Sequence, residues 1–409
     1  MKQIENVCLR YCVPFLFRES IDRATPKIER YERPNGDCVW AWERVTAEDW
    51  KKGEAPLFDF LLDSLMADTG ERAAVGRCFS MKKPQGRPFL ATRFLASQGD
   101  SETEVTVSVE KIGLFLTRSR VGFLWYELGL SEAELTQELV VDFQQKLVEA
   151  NPFAEWVAEW LSPLEKAFLP GREINEKLLP GRPLLYTVAS FDQGTEAQMK
   201  KTAFALSTGR ETDKPSEACL EGGFDGGCFG ASEEGLALIF KGHSENTEKG
   251  RREFFLLYLY FLYRRYSILF FAERINREIS AATEDYERIK DKDADKREQR
   301  VRRREKTKAS LEKLVVDMSL FLLKNDRLTV SFLEKESALA AFLSDKLRMP
   351  EMEAALEEKL CAAERLIGSL ERLEYQEEED RRQEEERAEE EREEVDRAFS
   401  LFGWRKKKN

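Results

Sequence analysis

The sequence predicts an α+β protein, in which a mixed or antiparallel sheet domain with flanking helices precedes a long helical hairpin and coiled-coil stalk. Alternating valines at 105–109 and apolar runs on both sides of a three-residue turn at 118–120 are typical of a β-hairpin. No proline occurs from 216 to 349 and no glycine from 251 to 367, which favours long helices. Charged residues make up 35% of the chain, above the ~25% typical of globular proteins, and they dominate the second half.

The first half contains several strand-like segments and three helical ones, the first of which is a short amphipathic helix at 57–66. The predicted strands span 7–17, 38–45, 89–95, 104–117, 121–130, 184–190 and 235–241. Because Trp40 and Trp42 are two positions apart, they are expected on one face of their strand. Helices are predicted over 132–149 and 153–169 from apolar residues at helical spacing. The strands occur in hairpins and do not alternate with helices, so a mixed or antiparallel sheet is expected.

The most apolar segment, 252–280, joins the two halves. An unbroken apolar run from 254 to 263 ends at a double arginine, which makes it shorter than the ~18 residues of a membrane span. Two arginines within a bilayer would cost on the order of 2.5–3.5 kcal/mol each. We therefore predict a buried helix and no membrane-spanning helix in the chain. The residues expected to be buried against the sheet are Phe255, Leu259 and Leu262.

The helical half contains two seams of apolar residues at alternating steps of three and four, the spacing of a coiled coil. The first seam comprises Leu311, Leu314, Met318, Phe321, Leu328, Phe332, Leu339 and Phe342, with the polar residues Asn325 and Lys335 in the two intervening positions. The second comprises Met352, Leu356, Leu360, Ala363, Leu366 or Ile367, Leu370 and Leu373. Pro350 lies between the seams and is expected to mark a kink or a short break.

A basic segment at 286–308 lies between the apolar parts and contains eleven lysines and arginines. We interpret it as the exposed end of a helical hairpin, with a helix over 252–290 leading out and a helix over 300–347 returning. The candidate patch for an acidic partner comprises Arg297, Arg300, Arg302, Arg303 and Arg304. A solvated tip without a partner is the alternative, and a nucleic acid is a less favoured partner because no aromatic residues alternate with the basic ones.

The C-terminal part first becomes acidic and then aromatic and basic. Residues 376–396 form a Glu/Arg segment, which is typical of a solvated single helix or a tail. The end of the chain resembles segments that bind a membrane surface or a partner groove, with a self-packing tail as the alternative. The residues assigned to this candidate site are Phe399, Phe402, Trp404, Arg405, Lys406, Lys407 and Lys408.

Composition and motifs favour a function without catalysis. The 409 residues suffice for two domains, and a net charge of −12 argues against nucleic-acid binding by the chain as a whole. The chain has one histidine and no metal-ligand spacing or catalytic triad pattern, and the glycine-rich segment 222–230 lacks the Gly-Lys-Ser/Thr ending of a P-loop. Seven scattered cysteines without a CxxC pair indicate reduced intracellular thiols. We assign no catalytic residue and no metal site, and the cofactor is unknown; an enzyme in the first half is the alternative.

Three segments resemble the CorA-like family of magnesium-transporter-related proteins. The hairpin LFLTRSRVGFLWYEL at 114–128 is similar to a strand pair of that family, although Arg120 and Val121 stand where a glycine is expected. The segment FFLLYLYFLYRRYSILFFAERI at 254–275 resembles the helix that enters the long hairpin. The segment FLEKESALAAFLSDKLRMPEMEAALEEKL at 332–360 resembles the helix that descends toward the membrane.

The chain departs from this family at its C-terminal side. Family transporters have two membrane spans joined by a Gly-Met-Asn turn, and neither feature occurs in this sequence. The resemblance implies an α/β/α cytoplasmic domain, a helical stalk and oligomerisation. It does not imply transport by this chain alone, and it transfers no ion-selectivity residue.

The sequence therefore predicts four parts. They are a mixed CorA-like domain at 1–250, a helical hairpin and stalk at 251–375, a charged helix at 376–396 and an aromatic-basic tail at 397–409. The expected function is that of a non-enzymatic, homo-oligomeric, bacterial module for ligand or ion sensing and assembly. It is expected in the cytoplasm, with peripheral membrane contact through the tail. The alternative is a coiled-coil scaffold or effector in bacterial signalling or defence.

Overall fold

The structure is a computed structural model with two compact units. It describes residues 4–35, 38–46, 49, 75–82, 89–98, 101–131, 135–150, 157, 159–164, 183–191, 194–210, 219–221, 227–242, 245–288, 297–326 and 334–405. The first unit, called the head unit, comprises Met1–Phe270 and Lys324–Ala354. The second, called the stalk unit, comprises Phe271–Leu323 and Ala355–Asn409. The head unit therefore also includes helical segments that follow the predicted boundary at 250.

The strands of the head unit form one mixed sheet, which confirms the predicted α+β class. They are β1 Glu5–Leu16, β2 Glu32–Asn35, β3 Cys38–Val45, β4 Gly76–Met81, β5 Leu90–Gln98, β6 Ser101–Thr117, β7 Val121–Ser131, β8 Leu184–Phe191, β9 Cys219–Glu221, β10 Cys228–Ala231 and β11 Gly235–Lys241. The sheet order is β2-β3-β4-β6-β7-β1-β8-β11-β10-β9, and β5 pairs with β6. Among the described pairs, β8 and β11 are parallel and the others are antiparallel.

The helices follow the predicted order but differ in their limits. They are α1 Ile21–Glu29, α2 Gln137–Ala150, α3 Glu196–Thr208, α4 Glu245–Lys249, α5 Phe255–Arg288, α6 Arg297–Asp326, α7 Glu334–Lys346 and α8 Met349–Arg405. A π-helical turn, Gly250–Phe254, connects α4 to α5. The helix predicted over 300–347 is described in two parts, α6 and α7, and 327–333 between them lie outside the described residues. The charged segment 376–396 is not a separate element, because α8 runs through it without a break.

Strand β1 lies between β7 and β8 and presents different chemistry on its two faces. Leu9, Tyr11 and Val13 belong to the core on one face, together with α1 and α2. The alternate residues of a strand point to the opposite face, so Arg10 lies on the other side of the sheet. A charged residue at the centre of a sheet requires a partner on that side, and this requirement shapes the site described below.

Aromatic residues fill the first face of the sheet. Trp40 and Trp42 are both buried and both contact Trp160, with ring centroids 5.0 and 6.4 Å away. The prediction that Trp40 and Trp42 share a face is confirmed. Much of the predicted helix 153–169 lies outside the described residues.

Helix α5 covers the opposite face. Phe255 contacts Trp125 of β7, with ring centroids 5.3 Å apart, and Tyr266 contacts Phe123 at 5.8 Å. The predicted burial of Phe255, Leu259 and Leu262 is confirmed, with exposures of 0, 2 and 1%. Helices therefore lie on both faces of the sheet, which gives the head unit three layers.

The helical segment that includes α5 is long and apolar enough to qualify as a candidate membrane span. Its limits are Thr247–Glu284, its most apolar window has a mean hydropathy of 1.2, and 78% of that window is buried. The sequence argument that its composition excludes a span is therefore too strict. Burial of this extent is what a core helix shows, and the absence of a spanning helix stays a prediction.

The break predicted at Pro350 is confirmed. Helix α7 ends at Lys346 and α8 begins at Met349, so the proline lies in the first turn of α8, where its missing N–H removes no helical hydrogen bond. Arg348, between the two helices, has a positive φ of 55°.

Part of the predicted glycine-rich segment, 222–226, lies outside the described residues. Strand β10 begins at Cys228, within the same segment.

Gly113 of β6 provides a first stability test, because the ring of Trp125 lies directly over it. A Cβ atom at Gly113 would lie 2.1 Å from that ring. We expect Gly113→Ala to destabilise the head unit by about 1–3 kcal/mol through overpacking, measured by urea unfolding with tryptophan fluorescence. The control is Gly368→Ala in α8, where a Cβ would meet no atom within 4 Å. Equal unfolding midpoints for Gly113→Ala and wild type would contradict the close packing.

Candidate functional site

The stalk unit is built from three helical segments whose directions follow from their ion pairs. Arg304 of α6 pairs with Glu377 of α8, and Lys308 pairs with Glu374, with Nζ and Oε2 2.8 Å apart. Later positions in α6 thus pair with earlier positions in α8, so the two helices are antiparallel. Ser310 of α6 donates to Glu278 of α5, which adds the third helix.

The parts of the predicted seams that belong to the stalk unit contribute its buried apolar residues, whereas Leu339, Phe342 and Met352 belong to the head unit. On α6, Leu311, Leu314 and Met318 are fully buried and Phe321 is nearly so. On α8, the buried residues Leu356, Ala363 and Leu370 are spaced seven apart, as a heptad requires. Positions 328 and 332 of the first seam lie outside the described residues.

Arg304 and Glu377 form a polar layer at one end of these seams. Arg304 is seven residues before Leu311, and Glu377 is seven residues after Leu370, so both continue the heptad positions of the core. The guanidinium donates two hydrogen bonds, from Nη1 to Oε1 at 3.1 Å and from Nη2 to Oε2 at 2.6 Å. The Arg304 side chain is 6% exposed, whereas that of Glu377 is 31% exposed.

This pairing corrects the predicted acidic-partner patch. Arg304 is not available to an external partner, because a carboxylate of the same chain already occupies its guanidinium. Arg302 and Arg303 are exposed on α6. Arg297 and Arg300 lie in the first turn of α6, and their side chains are outside the described part of the chain. A run of arginines cannot distinguish these positions unless the heptad phase of α6 is known.

A second set of α6 residues at heptad spacing faces solvent, and we call it the outer stripe. Its members alternate by four and three positions, and all are exposed: Arg302, Lys306, Ala309, Lys313, Val316, Leu320 and Leu323. The stripe begins with basic residues and ends with apolar ones. Its last three members are 55, 49 and 57% exposed. Helix α6 therefore has an apolar seam inside the unit and a second patterned face outside it.

Helix α8 continues beyond Glu377 as an exposed extension, defined as residues 378–405. Every side chain from 378 to 398 is exposed. The described part of α6 begins at Arg297, about two turns from Arg304, so most of the extension runs past this described part. Of the predicted tail site, Phe399, Phe402, Trp404 and Arg405 lie in the helix, with side chains outside the described part. Lys406, Lys407 and Lys408 are also outside it.

The head unit contains a second site, which the sequence analysis missed: the buried cation Arg10. Its Nε and Nη2 atoms both donate to Oε2 of Glu127, at 3.1 and 2.7 Å. The ring of Phe255 lies 4.1 Å from the guanidinium carbon, which is a cation–π contact. Lys111 also contacts Glu127, at 3.0 Å. Arg10 therefore joins the sheet to α5, and the only sequence signal is one charged residue within an apolar strand.

Two backbone irregularities lie beside this centre. Asn6 has a φ of 52°, and the pairing of β1 with β8 shifts register between Glu5 and Cys8. In β8, the hydroxyl of Tyr186 donates to the carbonyl of Gly250, the first residue of the π-helical turn. Arg251 of the same turn donates from Nη2 to the carbonyl of Asn6 at 3.0 Å. The bulge and the π-helical turn are thus hydrogen-bonded to each other.

The electrostatics of this centre favour a charged pair beside neutral thiols. Burial alone would raise the pKa of Glu127, but the charges of Arg10 and Lys111 outweigh it, so this pKa lies below its ordinary value. Burial raises the pKa of the Cys8 thiol despite the nearby Arg10. Burial also raises the pKa of Cys12 to about 12. Both thiols are neutral at physiological pH, which makes them poor nucleophiles.

Comparisons with known proteins do not assign either site. Among the described residues, no group of three or more His, Cys, Asp or Glu side chains is placed to hold a metal ion. The chain matches no protein-family model, no curated protein and no solved structure. The functional argument therefore depends on the geometry of the two units.

Proposed function

We propose that this chain is a non-enzymatic, self-assembling module in which the stalk unit joins copies of the chain. The observation that supports this proposal is the outer stripe of α6. Exposed apolar residues at spacings of four and three are typical of a face that packs against another helix. Val316, Leu320 and Leu323 are adjacent on that face and on average more than half exposed. Association that buries them would be favoured by the hydrophobic effect.

The CorA-like assignment belongs to this proposal. A head unit with helices on both faces of its sheet, followed by long helices, is the arrangement that the resemblance implies. We propose that the head unit senses a ligand or an ion. Arg10 supports this role, since it links the sheet to α5, and α5 contributes residues to both units. A change in the sheet that moves Arg10 would act directly on α5.

We place the module in the cytoplasm. Cys8, Cys12, Cys78 and Cys228 are buried free thiols, and Cys361 is an exposed one. Free thiols of this kind persist in a reducing compartment. Peripheral contact with a membrane through the tail is the second role proposed for residues 397–409, and vesicle binding tests it below.

Replacing the apolar end of the outer stripe tests the proposed assembly. We expect the double variant Leu320→Glu/Leu323→Glu to shift the full chain toward monomer, because it introduces charge where two helices would pack. Sedimentation velocity over a concentration series measures the shift, with an increase in dissociation constant of about tenfold or more expected.

The matched control is Leu95→Glu in β5 of the head unit. Leu95 is 56% exposed, almost the same as the 57% of Leu323. The control variant should associate like the wild type. If Leu320→Glu/Leu323→Glu also associates like the wild type, the outer stripe is not the assembly surface.

A further inference from the structure

We propose that the outer stripe of one copy binds the exposed extension of a second copy, giving a two-fold dimer in which each extension lies along the partner's α6. This arrangement specifies the partner and the register, and it rests on the self-assembly proposed above. Three properties of the stalk unit support it: the order of chemistry along the two segments, the direction of α8, and matching heptad spacing.

The chemistry along the two segments is complementary in the same order. The outer stripe begins with Arg302, Lys306 and Lys313 and ends with apolar residues. The extension begins with the acidic segment 378–396, which contains twelve Asp and Glu against four Arg, and its aromatic residues lie near its end, before Arg405. Opposite charges meet and apolar residues meet only when the two segments run parallel, from N- to C-terminus.

The direction of α8 prevents this pairing within one chain. Helix α8 is antiparallel to its own α6 and continues without a break from Met349 to Arg405. The extension therefore runs away from the outer stripe of its own copy. In a two-fold dimer with opposed stalks, the partner's extension runs parallel to α6, so a second copy supplies the direction that the pairing needs.

The heptad spacing of the two segments defines one register. In the extension, the seam of α8 continues at alternating steps of four and three through Glu384, Ala388, Glu391, Val395, Ala398, Phe402 and Arg405. Val395 is 52% exposed, as expected for a seam residue without a partner in its own chain. The stripe from 302 to 323 and the extension from 384 to 405 each span about 32 Å at 1.5 Å per residue.

In this register three of the seven facing positions pair residues of matching chemistry. Arg302 lies beside Glu384 of the partner, a pair of opposite charges. Leu320 lies beside Phe402 of the partner, a pair of large apolar side chains. Val316 lies beside Ala398, where two small or medium side chains permit close approach of the helices.

Disulfide trapping tests the register in the full chain. In a Cys361→Ser background, we expect Val316→Cys/Ala398→Cys to form an intermolecular disulfide under mild oxidation, because facing seam positions bring Cβ atoms within disulfide reach. The matched control, Val316→Cys/Ala388→Cys, places the second cysteine about 15 Å along the helix. The in-register variant should yield about tenfold more cross-linked dimer, resolved on non-reducing gels and mapped by mass spectrometry.

Each outcome has a definite meaning. Preferential cross-linking at 316 and 398 supports the parallel pairing. A stable dimer by sedimentation with equal cross-linking in both variants overturns this register while leaving self-assembly intact. A monomer under all conditions overturns both proposals. If anionic phosphatidylserine vesicles bind the wild type, Phe402→Glu abolishes that binding and no cross-link forms, the aromatic tail is a membrane contact instead.

Discussion

Glu127→Ala is expected to destabilise the head unit by about 3–5 kcal/mol, the usual cost of leaving one member of a buried ion pair without its partner. The side chain of Arg10 is 5% exposed, and both of its described hydrogen bonds go to Glu127. Once that carboxylate is removed, the guanidinium remains buried, and its cation–π contacts with Phe255, Trp125 and Tyr186 do not replace the lost hydrogen bonds.

Urea unfolding monitored by tryptophan fluorescence measures this effect, since Trp125 lies within 5.4 Å of the Arg10 guanidinium carbon. Glu104→Ala is the control. It removes the partner of Arg93 from a pair on β5 and β6 in which both side chains are more than half exposed, so a change of at most about 1 kcal/mol is expected. Equal losses for Glu127→Ala and Glu104→Ala would show that burial of the Arg10 pair is energetically unimportant.

Removing both charges separates the cost of an unpaired ion from the value of the pair. Arg10→Met alone should cost less than Glu127→Ala, because Lys111 still contacts Glu127. The double variant Arg10→Met/Glu127→Leu should recover most of the stability lost in Glu127→Ala, as apolar replacements of buried ion pairs often do. Failure of the double variant to recover stability would indicate that the pair itself makes the main contribution.

The Arg10 pair also predicts a pH dependence with a definite sign. The pKa of Glu127 is lower in the folded chain than in the unfolded chain, so the unfolded state binds more protons in that range. This contribution is present above the unfolded carboxyl pKa of about 4.3 and is lost as the pH falls through the folded value. The stability difference between wild type and Glu127→Ala should therefore shrink in acid. A difference that stays constant from neutral pH to pH ~3 would contradict the ionised pair.

Glu377→Ala is expected to be the most damaging single change in the polar layer of the stalk unit, at about 3 kcal/mol. It leaves Arg304 buried without its carboxylate. Arg304→Met should cost less, because Glu377 is 31% exposed and can be hydrated again. The two variants are expected to differ in stability because Arg304 is more deeply buried than Glu377, since both remove the same contact.

Hydrogen exchange of α6 and α8 peptides measures this change locally, since most tryptophans lie elsewhere. Faster exchange around 300–311 and 370–377 is expected for Glu377→Ala. Glu393→Ala is the control in the same helix, because its pair with Arg397 is exposed on both sides. The proposed layer is wrong if Glu377→Ala and Glu393→Ala exchange alike.

The sequence was most informative where one periodicity governs a whole element. Alternation located the strands around the 118–120 turn, and the three-four pattern identified Leu311, Leu314 and Met318 as core residues. In each case the local structure is determined by the burial of many apolar side chains on one face of the element. Such patterns are visible without any knowledge of the neighbouring elements.

The sequence was less informative where a single residue acts through a distant partner. The role of Arg10 depends on Glu127 in another strand and on Phe255 in a helix far along the chain. The burial of Arg304 depends on the phase of α6 against α8, which cannot be read from the eleven basic residues of 286–308. The membership of the two units is hard to see in the sequence for a related reason, because the head unit combines segments that are far apart along the chain.

Self-assembly is best tested by the molar mass of the full chain, measured by light scattering across a micromolar concentration series. We expect a mass of twice the 47.4 kDa of the single chain, falling toward one copy at high salt as the acidic extension and the basic end of the outer stripe are screened. A mass of one copy at every concentration and at low salt would contradict it.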